Sequence, residues 1–118
     1  MVLSTPNPCS WGHSIFRGAW NALDVPRHLH LFSPVLIAKL LAKAGFGNVS
    51  VQTVAKSALP MWVSSVNRLF AARVAKPLVP LTLLSGLAFQ YAELACLPLS
   101  RNIGEEIFAA GVNIGGAI

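Results

Sequence analysis

The segment between Ser33 and Gly45 constrains the fold of this chain most, because it marks both ends of a helix. Ser33 is a good N-cap, Pro34 suits the first helical position, and Gly45 suits the left-handed residue that follows a helix. Apolar residues recur between them at spacings of three and four, which predicts an amphipathic helix over 34–44. The Val-rich run 49–54 favours a strand. A helix, a glycine and a strand in this order indicate an α/β fold.

Other segments extend this α/β unit in both directions. Val2 to Thr5 is predicted to end a strand, and Glu106 to about Val112 is predicted to form the last strand. Residues 8–32 show no sustained period and predict a long ordered loop. The expected organisation is one partial domain in four parts: a strand end and loop, 1–33; a helix and strand, 34–57; an amphipathic helical insertion, 58–100; and the last strand with its tail, 101–118.

The composition limits the class of protein. Hydrophobic residues make up 54% of the 118 residues and charged residues only 11%, so the chain either buries its surface unusually well or rests on a partner or a membrane. The net charge of +5 comes from few acids and from scattered lysines and arginines, which argues against a nucleic-acid groove. Cys9 and Cys96 stand alone and follow no secretory signal, so a reducing, cytoplasmic location without a disulfide is expected.

Polar chemistry is concentrated in the stretch "WNALDVPRHLHLFSP", residues 20–34. Histidine can act as an acid or a base near neutral pH, and in an extended backbone His28 and His30 would point to the same side. A structural interpretation stays open, because Asp24 before a proline is good turn chemistry and Arg27 can pair with that carboxylate.

The residues also bear on a metal site and on hydrolase or nucleotide-binding motifs. Cys9, His13, His28 and His30 are zinc ligands by type, although their spacing matches no familiar zinc module, and no metal is the expectation. A serine hydrolase is excluded because the chain has no G-x-S-x-G motif, and no P-loop or GxGxxG is present.

Four stretches in order, "LSTPN", "WNALDVPRHLHLFSP", "IAKLLAKAGF" and "GEEIFAAG", resemble the C-terminal part of class I S-adenosylmethionine-dependent methyltransferases. The chain is most similar to small-molecule methyltransferases that carry a P-R-H-x-x-x-F-[ST] segment before a late helix. The resemblance covers most of the chain and is weakest between Ala58 and Ser100. It implies strands 5 to 7 and the late helices of a doubly wound Rossmann-like sheet, whose last strand runs antiparallel between its neighbours.

The resemblance also implies which residues meet a small-molecule methyl acceptor. His28 or His30 would contact the acceptor or its proton, and Arg27 would orient an anionic group on it. Apolar walls would come from Trp11, Phe16, Trp20 and Phe32, with packing of each in the core as the competing interpretation. S-adenosylmethionine would be the cofactor. The expected site residues are His28 and His30 as catalytic groups, with Arg27, Trp20, Phe32 and Asn7 binding the substrate.

The family's glycine-rich turn, the acidic residue for the cofactor ribose and the first four strands all precede the strand with which this sequence begins. The resemblance therefore implies a domain truncated at the N-terminus and inactive alone. A missing N-terminal half, or self-association, would have to complete the sheet.

A second class of function rests on the helical insertion. The amphipathic helices between Met61 and Leu99 could serve a non-catalytic interaction or membrane-surface protein, with Arg68, Arg73 and Lys76 facing anionic headgroups. The charge-free span 77–92 is about 24 Å long as a helix, short of the roughly 30 Å hydrocarbon core, so peripheral contact is favoured over a full crossing. Packing of both helices on their own domain is the competing interpretation.

Overall fold

A three-stranded sheet and four α-helices form the described part of the chain, residues 1–24, 26–71, 73 and 77–115 of this computed structural model. The elements in chain order are β1 (Val2–Pro6), α1 (Trp11–Phe16), two short 3-10 helices (Arg17–Ala19 and Asn21–Leu23), α2 (Pro34–Lys43), β2 (Phe46–Val54), α3 (Ala58–Phe70), α4 (Val79–Cys96) and β3 (Glu106–Asn113).

The last strand in sequence lies in the middle of the sheet, whose order is β1-β3-β2. β3 pairs antiparallel with β1, in a register that aligns Ser4 with Phe108, and antiparallel with β2, in a register that aligns Thr53 with Ile107. β1 and β2 are therefore parallel to each other and are connected through α2. The α/β class and the antiparallel last strand between its two neighbours are confirmed.

Helix α2 covers one face of this sheet. Ser33 caps the helix by accepting a hydrogen bond from the Leu36 backbone N–H at 3.2 Å, and Gly45 follows it with φ 84°. Ile37 and Leu41 of the predicted apolar stripe meet the sheet in a core with Ile107 and Ala109, while Leu36, Leu40 and Ala44 of that stripe are exposed. Burial of Ile37 and Leu41, and not helix propensity, fixes the position of α2.

Residues 8–32 differ from the predicted loop, because they contain α1 and the two 3-10 helices. α1 is only six residues long, too short to show a hydrophobic period. Its start is nevertheless marked, since the Ser10 hydroxyl accepts a hydrogen bond from the His13 backbone N–H at 3.1 Å. The loop prediction was wrong at these helices.

The bounds of the predicted elements also shift by small amounts. β1 includes Pro6, which an edge strand tolerates. β2 begins at Phe46, three residues before the predicted start. The strand pairing continues across a register irregularity between Gly47 and Ser50, where Asn48 has φ 50°. α2 ends at Lys43 and β3 continues to Asn113, one residue away from the predicted end in each case.

Helices α3 and α4 form a hairpin that packs against α1 and the 3-10 helices. Trp62 of α3 joins the layers, because its ring meets Phe16 edge-on at a centroid distance of 5.0 Å and Phe89 at 4.7 Å. The hairpin therefore rests on the segment that follows β1, at the end of the sheet where β1 and β2 finish.

Candidate functional site

A buried carboxylate, Glu105, lies where the segment after β1 meets the start of β3. Its side chain is fully buried and accepts hydrogen bonds from the Gly12 backbone N–H at 2.6 Å and from Trp20 Nε1 at 2.8 Å. The Ser10 hydroxyl lies close by and lowers the pKa of this carboxylate. These donors compensate the loss of water around a buried anion. The segment that follows β1 is thus held against this one acidic side chain.

A second carboxyl group, Glu93 of α4, faces the first from the helical hairpin. Glu93 is fully buried, and neither of its oxygens receives a hydrogen bond from a donor in the described part of the chain. Burial, followed by the charge of Glu105, raises the pKa of Glu93 to about 8. Burial also raises the pKa of Glu105, although Trp20, Gly12 and Ser10 oppose this. Glu93 therefore holds a proton at neutral pH beside the Glu105 carboxylate.

Asn7 fixes the end of β1 to the approach of β3. Its side chain is fully buried, and Nδ2 donates to the carbonyl oxygens of Asn102 and Gly104, each at 2.7 Å. Its Oδ1 accepts from the Cys9 backbone N–H at 3.0 Å. Both amide protons and the amide oxygen thus form hydrogen bonds within the protein.

A small cavity of about 180 Å³ opens beside these groups and is lined in part by Glu105 and Glu106. Glu106 accepts hydrogen bonds from the hydroxyls of Ser4 and of Ser57, the latter at 2.8 Å. The cavity presents carboxylate and hydroxyl oxygens, with Met61 as its apolar wall. Such a lining can accept hydrogen bonds from a small donor group.

The stretch with the two histidines lies at the surface, before α2. Arg27 approaches Asp24 at 3.4 Å, with 80% of its side chain exposed, in the pairing that the structural interpretation predicted. His28 is half-buried and His30 is exposed, with its ring 6.3 Å from that of Phe32. Phe32 packs on the core under α2. The segment thus presents two imidazoles and a guanidinium at the surface.

The predicted site residues thus fall into three groups, and Phe32, packed on the core under α2, is one of them. Asn7 and Trp20 belong to the buried network, where their polar groups bond to the protein, and Trp20 is core and not an open wall. Arg27, His28 and His30 share the surface segment, and their contact with an acceptor stays a prediction. No three His, Cys, Asp or Glu side chains within residues 1–24, 26–71, 73 and 77–115 are grouped so that they could hold a metal ion.

Sequence reasoning missed the carboxyl pair and Gly12. The chain contains only four acidic residues, and Glu93 is the one acid in a run of more than 40 residues. An isolated acid in an apolar helix is a signal of a buried, functional or paired group, because ionised carboxylates are costly to bury alone. Its partner could not be identified, because Glu105 comes close only through the tertiary fold.

Loss of the Trp20 hydrogen bond is expected to destabilise the protein measurably. Trp20→Phe keeps an aromatic ring but removes the donor to Glu105, which should lower the free energy of unfolding by about 2 to 3 kcal/mol, since the acceptor is charged. Trp62→Phe is the matched control, because Trp62 Nε1 donates to the neutral Ser85 hydroxyl at 3.0 Å, and about 1 kcal/mol is expected. Urea unfolding measures both, and equal losses would contradict a charged acceptor.

Comparison of the chain with protein-family models, with curated proteins and with solved structures finds no match in any of the three.

Proposed function

We propose that this chain forms the acceptor-side part of an S-adenosylmethionine-dependent methyltransferase domain that acts on a small molecule. The observation that carries the proposal is the sheet order, in which β3 lies antiparallel between the parallel strands β1 and β2 with α2 as their connection. The sequence resemblance implies this order for strands 5 to 7 of the family, and the pairing of the strands is an observation separate from the sequence motifs.

The location of the histidine segment supports the same proposal. In open α/β sheets, ligands bind outside the carboxyl ends of parallel strands, and residues 7–33 follow the carboxyl end of β1. Within the described residues β1 pairs only with β3, so its outer edge can receive further strands. Strands added there would bring a second ligand site towards the same end of the sheet.

The residues of this chain do not fit the cofactor itself. The turn after β1 is Asn7-Pro8-Cys9, and the Asn7 amide forms its hydrogen bonds within the protein. No glycine-rich turn that could bind a nucleotide therefore follows this strand. The proposal therefore gives these residues the acceptor side only. S-adenosylmethionine, when bound to the complete domain, supplies an activated methyl group.

Two tasks fall to the histidine segment in this proposal. His28 or His30 takes the proton from the acceptor atom that attacks the methyl group, and Arg27 orients an anionic group on the acceptor. Arg27 is free to do so because its exposed pairing with Asp24 is weak. General base catalysis of this kind contributes about 10²- to 10⁴-fold to a rate.

Methyl transfer by the native protein tests the proposal. The protein captured from its own cells should transfer tritium from methyl-labelled S-adenosylmethionine to compounds in a solvent extract of those cells. His28→Asn and His30→Asn should be compared in the same assay. The substitution that removes the proton-accepting histidine should lower the rate of methyl transfer about 100-fold. Lys39→Asn, on the exposed side of α2, is the control and should transfer normally.

The two parts of the proposal fail separately in this assay. Absence of transfer by the native protein would contradict the methyltransferase proposal. Normal transfer by both histidine variants would contradict only the proton-acceptor role.

A further inference from the structure

Helix α4 is packed with its polar side inwards. Its buried positions are Thr82, Gly86, Phe89 and Glu93, which recur at spacings of four, three and four and form one stripe along the helix. The sequence predicted amphipathic helices between Met61 and Leu99, and packing of both helices on their own domain was the competing interpretation. The structure packs α4 on the domain through this inward stripe, with its leucines facing outwards.

Specific contacts hold the inward stripe in place. A Cβ at Gly86 would lie 2.7 Å from the Leu59 side chain, so α3 and α4 approach each other as closely as glycine allows. Ser85 accepts a hydrogen bond from Trp62 at 3.0 Å, and Glu93 faces Glu105. These contacts hold the inward stripe of α4 against α3 and Glu105.

The outward side of α4 is consequently a continuous apolar surface. Exposed fractions range from 42% at Leu87 to 69% at Tyr91, and the residues on this side are Leu81, Leu84, Leu87, Tyr91 and Leu94. Exposed apolar patches of this extent mark contact sites for proteins or membranes.

The charges around this surface favour a membrane over a protein as the partner. Glu93 is the one acidic residue between Ser57 and Ser100, and it is fully buried. Arg68 and Arg73 are exposed near the connection between the two helices, while Lys76 lies outside the described residues. The hairpin thus presents apolar side chains and cations without an exposed acid, which complements a hydrocarbon surface bordered by anionic groups.

We propose that the α3–α4 hairpin docks on the surface of an anionic lipid membrane, with the leucine side of α4 in the headgroup and acyl boundary and Arg68 and Arg73 at the phosphates. α4 is long and apolar enough to cross a bilayer, and it is the one such helix in the described part of the chain. The inward stripe is held by α3 and Glu105, so α4 lies in the membrane plane. This inference does not depend on the proposed function.

Sedimentation with sucrose-loaded vesicles tests the docking. The purified chain is mixed with vesicles of phosphatidylcholine and phosphatidylserine at 7:3, and with pure phosphatidylcholine, in low salt and in 0.5 M NaCl. Binding to the anionic vesicles in low salt is expected, with weaker binding in high salt. A sample without vesicles measures self-association.

Matched variants locate the surface. Arg68→Gln and Arg73→Gln should each lower partitioning about fivefold, and Leu81→Ser and Leu84→Ser about tenfold each. Lys39→Gln with Lys43→Gln on α2 is the charge control, and Leu29→Ser with Val35→Ser is the apolar control; all four residues are exposed away from the hairpin. Circular dichroism checks that each variant is folded.

Three outcomes would overturn the proposal. The first is absence of binding in low salt, and the second is equal binding by the hairpin variants and the controls. The third is a stable oligomer without vesicles that is lost in Leu81→Ser and Leu84→Ser, because the leucine surface would then bind a second copy of the chain.

Discussion

Gly12→Ala is expected to lower the free energy of unfolding by about 3 to 5 kcal/mol, although alanine favours helices over glycine by about 1 kcal/mol. A Cβ at position 12 would lie 2.6 Å from Cδ of Glu105 and closer still to its oxygens. The carboxylate is fully buried, and displacing it towards the neighbouring cavity breaks the bonds from Gly12 and Trp20. A buried anion would then lack its donors.

Gly18→Ala is the control for this prediction, because nothing lies within 4 Å of a Cβ at that position. Its effect on stability should stay within about 1 kcal/mol. Urea unfolding followed by far-UV circular dichroism gives both values. A Gly12→Ala protein as stable as the wild type would show that the carboxylate is not held against α1.

Stability is expected to fall as the pH rises from about 5 to 8, because of the carboxyl pair. The folded protein keeps a proton on Glu93, whose pKa is about 8, while the unfolded chain releases that proton near its ordinary pKa of 4.5. In this window the folded state binds more protons than the unfolded state, so raising the pH favours unfolding. The free energy of unfolding should fall by at most about 1.4 kcal/mol per pH unit.

Glu93→Gln tests the origin of this pH dependence. The amide carries no titratable proton, so the slope of stability against pH should flatten between pH 5 and 8. Asp24→Asn, at the partly exposed Asp24–Arg27 pair, should retain the wild-type slope. Thermal unfolding across this pH range measures all three proteins. A flat wild-type profile, or a Glu93→Gln profile parallel to it, would contradict a proton held on Glu93.

Local signals predicted the parts of the fold that local chemistry determines. The caps at Ser33 and Gly45 located α2 within one residue, and β-branched content located β2. The same reasoning missed α1, because six residues cannot show a period. The orientation of α4 was also missed, since its inward side is chosen by the close approach at Gly86 and by Glu105, which lie on or face other elements.

The candidate site likewise has one part that the sequence predicted and one part that it did not. The polar character of the Asp24 to His30 segment could be read from the sequence, because the residues are adjacent. The buried network could not, since Gly12, Glu93 and Glu105 are brought together over as many as 93 positions in the chain. Trp20 was predicted as an apolar wall, but its indole N–H serves the buried carboxylate. Contacts at long sequence separation therefore account for most of what the sequence concealed.

Photolabelling of the native protein with methyl-tritiated S-adenosylmethionine tests the methyltransferase proposal most directly. Material captured from the source cells by an antibody to this sequence is irradiated with the cofactor and compared with the purified 118-residue chain. Label is expected in a native polypeptide or complex heavier than 12.5 kDa, and none in the purified chain. Absence of label from the native material, or label on the isolated chain, would contradict the division between an acceptor side in this chain and a cofactor side in additional strands.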